Sequence, residues 1–167
     1  DPGAGTANLT SNGDGEWGDN AFVSKLDSSG NYVWAKSFGG DEEMQVYDMV
    51  VDSSGNIYTA GYFEGTADFD PGAGTANLTA NGSQDAFILK LDSSGNYVWA
   101  KSFSGPGMEY ARSMAIDSSG NTYITGIFKD TVDFDPGAGT ANLPSNGDYD
   151  VFVSKLDSSG NYVWAKS

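Results

Sequence analysis

The sequence predicts an all-β protein built of tandem four-stranded antiparallel sheets. Three observations carry that expectation. The chain repeats with a period of 65 residues: FVSKLDSSGNYVWAKSF at 22–38 returns as FILKLDSSGNYVWAKSF at 87–103 and as FVSKLDSSGNYVWAKS at 152–167. Each period alternates β-branched and aromatic runs with clusters of Asp, Ser, Gly and Asn, the chemistry of strands and tight turns. No stretch sustains a helical apolar period.

The elements follow in order. The word DSSGN starts at Asp27, Asp52, Asp92, Asp117 and Asp157, at intervals of 25 and 40 in alternation. It therefore closes two hairpins per period. Asp and Ser side chains can bond amides inside the turn, and Gly-Asn tolerates positive φ. In the second copy the strands are expected at 44–53, 56–64, 85–92 and 96–103. The first two are apolar on both faces (Val46, Met49, Val50, Val51; Ile57, Tyr58, Ala60, Phe63). The last two carry Lys25, Lys90 and Lys155 on one, and Lys36, Lys101 and Lys166 on the other. Lys suits a solvated edge, where it discourages pairing between sheets, so strands one and two read as inner and strands three and four as outer. A second marker, DPGAGTANL, starts at 1, 70 and 135, and four extra residues of the first copy fall within 12–20. Tandem four-stranded sheets are the signature of β-propeller blades.

The organisation expected is an outer half-blade with its preceding DPGAG loop at 1–43, a full blade at 44–108 and another at 109–167, all one repeat-type unit. A propeller closes with about four to eight blades. Completion by oligomerisation or by a longer chain is therefore expected, since an isolated hairpin is marginal in water. A head-to-tail contact that does not close would give a filament.

Composition narrows the function. The 167 residues hold 18 Asp and 5 Glu against 8 Lys plus Arg, a net charge of -15, with no Cys and no His. That removes disulfide scaffolds, thiolate zinc sites and histidine acid–base chemistry. Phosphate binding needs Lys and Arg, so nucleic acid and anionic membranes are excluded as partners. No apolar run is long enough for a membrane-spanning helix.

The run DSSGNIYTAGYF at 52–63, followed by DAFILKLDSSGNYVWAKSF at 85–103, resembles the bacterial and archaeal beta-propeller repeat named for seven-bladed propellers. It is also similar to NHL-type blades, whose inner hairpin has a D-x-x-G-N-x-Y-V turn. The resemblance implies a secreted or surface-exposed propeller in a modular protein with binding or structural roles. It implies no shared catalytic residues.

Candidate sites are few. Asp68 and Asp70, repeated as Asp133 and Asp135, place alternate carboxylates beside turn carbonyls, a donor set that suits calcium; no other cofactor is expected. The simpler reading is a strand-end turn punctuated by Pro-Gly. Asn12, Asp14, Glu16 and Asp19 form a weaker version. Gly13, Gly15 and Gly18 match G-x-G-x-x-G, but no βαβ unit surrounds them to cradle a phosphate. DSSGNYVW is similar to the Asp-box of sialidases with one residue too many, and Arg112 is the only arginine, so no hydrolase site is expected. Trp34, Trp99 and Trp164 recur once per blade and could dock sugars, or could pack between blades as core. Trp17 stands in a unique Gly-rich stretch and is expected to be exposed. Asn8, Asn77 and Asn81 head glycosylation sequons.

The expectation is an extracellular or cell-surface structural and adhesive protein without catalysis. It would act by self-association and protein contacts, its partners being copies of itself or further repeats, with glycans or surface proteins in addition. The alternative is a lectin-like or protein-binding propeller with one pocket per blade.

Overall fold

The computed structural model describes residues 5–11 and 20–167. Among these, all regular structure is β. An outer hairpin comes first: β1 (Ala21–Leu26) and β2 (Tyr32–Gly40). The first full blade holds β3 (Met44–Val51), β4 (Ile57–Phe63), the short β5 (Thr66–Asp68) and β6 (Asn77–Thr79), then β7 (Asp85–Leu91) and β8 (Tyr97–Phe103). The second repeats it as β9 (Glu109–Ile116), β10 (Thr122–Phe128), β11 (Thr131–Asp133), β12 (Asn142–Pro144), β13 (Asp150–Leu156) and β14 (Tyr162–Lys166). The antiparallel orders are β3-β4-β7-β8 and β9-β10-β13-β14. These four-stranded sheets are blades, and they do not close into a ring.

The repeated turn makes each hairpin the same way. Asp27 Oδ1 accepts the Ser29 and Asn31 amides at 2.8 and 2.9 Å, and Asn31 Nδ2 donates to Oδ2 at 2.9 Å. Gly30 sits at φ 82°, and its counterparts Gly55, Gly95, Gly120 and Gly160 lie between 79° and 81°. That left-handed backbone favours glycine. The turns thus meet their own hydrogen-bonding needs from local residues, five times over.

Packing joins blades through phenylalanine. Eight of the nine Phe side chains form two quartets. Phe38 of the half-blade meets Phe69 and Phe87 of the first blade, and Phe63 packs on the same two rings, with centroids 5.1–6.4 Å apart. Phe103 meets Phe134 and Phe152 in the same arrangement, with Phe128 on those two rings and Phe134 and Phe152 4.8 Å apart. Tilted and edge-on rings at these distances match the aromatic quadrupole.

The sequence reading leaves the DFDPGAG segments as loops. The structure instead pairs β5 with β6 and β11 with β12 as short ribbons. Each ribbon clamps onto the preceding copy: Gly39 pairs with Asp68, and Ser104 with Asp133. This pairing seats Phe69 and Phe134 at the centres of the quartets. The strand-three lysines also differ from the edge role expected. Strand three is interior in the full blades, and Lys25 and Lys90 reach the next copy's outer turn, donating to the Ser93 and Ser158 carbonyls at 2.9 and 3.3 Å.

Phe134→Ala should cost about 3–5 kcal/mol, the usual range for deleting a buried ring, read as a lower urea midpoint. A change within experimental error would show that the quartets do not hold the blades together.

Candidate functional site

The sequence-predicted residues fall into distinct places. Asp68 Oδ1 accepts the Asp70 and Ala76 amides at 3.0 and 2.8 Å, and Asp70 Oδ1 accepts the Gly72 amide at 2.7 Å. Asp133 and Asp135 repeat the pattern with Asp135, Ala141 and Gly137. These carboxylates organise the ribbon loop. Among the described residues no three acidic side chains converge as a metal-ligand set. A loop closed by its own amides should keep its melting temperature in EDTA; a fall would assign a cation to these turns.

Trp34 and Trp99 lie at blade joints. Trp99 is buried, edge-on to Tyr58 at 6.0 Å, and its indole donates to the Ser158 carbonyl at 3.4 Å. Trp34 and Trp99 lie under the next copy's outer turn, where any Cβ at Gly95 or Gly160 would meet the indole at 3.1–3.2 Å. Trp164 is half-buried, 6.3 Å from Tyr123. Asn8, Asn77 and Asn81 are exposed. Trp17, Asp1, the Asn12–Asp19 acidic stretch and the glycines within it lie outside the described residues.

The turn aspartates are held below the usual carboxylate range. At Asp27 and Asp117 the asparagine carboxamide is the main cause, and at Asp92 and Asp157 the asparagine backbone amide. At Asp52 burial pulls upward, and the bonds from Asn56 and Ser54 outweigh it.

Two polar clusters flank the joint between the full blades. At the turn end is a cleft of 460 Å³, lined among others by Ser53, Ser54, Tyr58, Lys90, Ser119 and Ser158. At the opposite end stands a tyrosine group: Tyr47, Tyr62 and Tyr110 lie within 5.1–6.4 Å of one another, and Arg112 lies 4.2 Å over Tyr47 and 4.8 Å over Tyr110. Tyr62 donates to Glu43 at 2.6 Å, and its hydroxyl is pushed up first by burial and then by that bond.

Comparison with known proteins agrees with the blade geometry. The sequence model of the family described as Beta-propeller repeat (SBBP) matches residues 33–62, which take in nearly all of the outer strand β2 and of the inner hairpin β3–β4. Residues 33–62 match that repeat, and the sheets of the chain are propeller blades. The chain is similar to an uncharacterized WD repeat-containing protein of Acanthamoeba polyphaga mimivirus, at 28% identity over 113 residues, covering 59% of this chain and 8% of that protein. It is also similar to the regulatory protein FlaEY of Caulobacter vibrioides, at 24% identity over 137 residues, covering 82% of this chain and 14% of that protein. The propeller-repeat chain thus spans a small part of the length of these relatives.

One feature of the propeller repeat escaped sequence reasoning. Asp85 opens β7, Glu109 opens β9, and both are fully buried. Asp85 accepts the Asn81 amide at 3.2 Å, but neither Glu109 oxygen makes a well-formed hydrogen bond. Burial, and then the Asp85 charge, push Glu109 up to about 9. Burial likewise raises Asp85. At the same register of the first copy stands Met44, also buried. That replacement of a methionine by a glutamate is the signal that a register comparison offers.

The sign of the pH effect follows. The folded chain holds the Glu109 proton up to about pH 9, whereas the unfolded chain releases it near its ordinary value of 4.5. Stability is therefore fully present below 4.5 and falls as pH rises through 9, by up to about 1.4 kcal/mol per pH unit. Glu109→Gln should flatten that decline, measured as urea midpoints between those limits. An unchanged slope would show that Glu109 is not the titrating group.

Proposed function

We propose that the chain is a non-catalytic structural and adhesive propeller-repeat protein of the cell exterior, acting through contacts with other proteins and first with other blades of its own kind. The observation that carries this reading is Phe22. It holds the register position of Phe87 and Phe152, which are 0% exposed in their quartets, yet it is 67% exposed. It is the ninth phenylalanine, and its quartet lacks the other rings.

The rest of the half-blade is consistent. Leu26 is exposed where Leu91 and Leu156 are buried. Strand β1 pairs with β2 alone among the described residues, whereas β7 and β13 each pair on both sides. Beside its open edge runs a groove lined by Val23, Met49, Val51 and Ile57. At the far end of the unit Val151 and Val153 are exposed where Ala86 and Ile88 are buried. One end thus presents what the other end lacks. Such a contact is heterologous and extends by repetition, whether the next blade lies on a longer chain or on a second copy. The outer edges do not compete. Each Tyr hydroxyl of the outer strand caps a backbone amide three residues on, Tyr32 at Ala35 (3.0 Å), Tyr97 at Ala100 (3.1 Å) and Tyr162 at Ala165 (3.1 Å), which leaves fewer free donors for edge pairing.

The cell-exterior setting rests on the family resemblance. A second reading, one ligand pocket per blade joint, is favoured by the serine-rich cleft at the turn end, and a glycan array tests it.

Light scattering of the 167-residue chain after size exclusion decides the main reading. Association that grows with concentration is expected, and Phe22→Asp should abolish it by placing a charge in a desolvated joint. Val33→Asp, on the exposed outer strand, should leave it intact. A 17.5 kDa monomer at every concentration would overturn the proposal.

A further inference from the structure

The two full copies differ mainly where the scaffold makes the least demand. Strands β3 and β9 have eight residues each and agree only at Met49 and Met114, whereas Tyr97–Lys101 and Tyr162–Lys166 are identical. Several of the differences gather at the end of the blades opposite the DSSGN turns. Tyr47 stands in register with Arg112, Gln45 with Tyr110, Glu43 with Met108 and Gln84 with Tyr149. The tyrosine and arginine group therefore forms at the joint that links the two full blades, and its Tyr110 and Arg112 side is not repeated at the joint before it, where Gln45 and Tyr47 stand. A structural demand would repeat with the blades, and this group does not.

Several charged side chains around it have partners within the chain. Glu43 is taken by Tyr62 at 2.6 Å and by Gln45 at 3.1 Å. Asp48 accepts from the Ser113 hydroxyl and the Met114 amide at 3.0 and 2.8 Å. Glu64 accepts from Gln84 at 2.6 Å, and Lys129 pairs with Asp148 at 2.8 Å. Arg112, the only arginine of the chain, is exposed and has neither an ion pair nor a hydrogen bond among the described residues. Its guanidinium lies over both the Tyr47 and the Tyr110 ring, which holds it in place while its donors meet no acceptor among the described residues. Next to it Met108 sulfur receives the Tyr110 and Tyr149 hydroxyls at 3.5 and 3.3 Å, and Tyr149 is 41% exposed.

We propose that this rim is a docking site for a protein segment that presents one carboxylate beside an aromatic or aliphatic side chain, with Arg112 as the carboxylate receptor. A planar guanidinium fork matches a carboxylate through two parallel hydrogen bonds, and stacking on two rings lowers the entropy lost in making them. Tyrosine, arginine and methionine are the residues enriched at protein interfaces. The net charge of -15 rejects a polyanion at longer range, which selects a segment with one acid group set among apolar neighbours. The site lies apart from the open edge of β1, and it stands or falls independently of self-association.

The test selects random displayed peptides on the immobilised 167-residue chain, with counter-selection on Arg112→Gln. Enriched peptides should share one Asp, Glu or terminal carboxylate next to an apolar residue. In fluorescence anisotropy they should lose about tenfold or more in affinity on Arg112→Gln, and a smaller part on Arg112→Lys, which keeps the charge without the fork. Replacing the peptide's carboxylate by its amide should give the same loss on the unaltered protein, a check that needs no protein variant. Phe22→Asp should leave binding unchanged. No enrichment over Arg112→Gln, or peptides that bind equally without a carboxylate, would overturn the proposal.

Discussion

The phenylalanine quartet at each blade joint is the contact on which the other features depend. It draws one ring from the outer strand of one copy and three from the next: the inner hairpin, the ribbon and strand three. A blade by itself therefore cannot complete its core, and each copy needs its neighbour. The ribbons follow from this need, because Phe69 and Phe134 reach the quartet only when β5 and β11 pair with the preceding outer strand. The lysine staples to Ser93 and Ser158 close the same joints at the turn end. An exposed Phe22 is then the expected state of a joint with one face present, and the proposed association would supply the other.

Much of this fold was legible in the sequence because its turns are local. Asp27, Ser29, Gly30 and Asn31 contain their whole hydrogen-bond network within five residues, so composition alone exposes them. The strands between them alternate plainly. The ribbons were not legible. Three-residue strands carry no pattern, and their pairing partner lies in the preceding copy, far along the chain. The same blindness applied to Lys25 and Lys90. Lysine at a strand position reads as a solvated edge, while the structure uses its long stem to cross a joint.

The candidate sites divide along the same line. Asp68, Asp70, Asp133 and Asp135 were visible as carboxylates, but which amides would occupy them depends on how the ribbon loop folds back. The tyrosines around Arg112 and the carboxyl pair of Asp85 and Glu109 come from strand ends brought together across the joint. Neither is a motif. Both become visible only when the copies are laid in register, where Met44 faces Glu109 and Tyr47 faces Arg112.

Repetition and singularity therefore do different work in this chain. The repeated residues build surfaces that are alike at every joint, suited to joining blades to blades without limit. The residues that do not repeat cannot serve that purpose, since a contact made once is lost to the series. At the one joint linking the full blades they cost stability, through a buried glutamate that a methionine would replace without charge, and they hold a stacked arginine out toward solvent. A scaffold that tolerates such departures at one end of its blades, while its turns stay identical, keeps the surface proposed for assembly apart from the surface proposed for recognition.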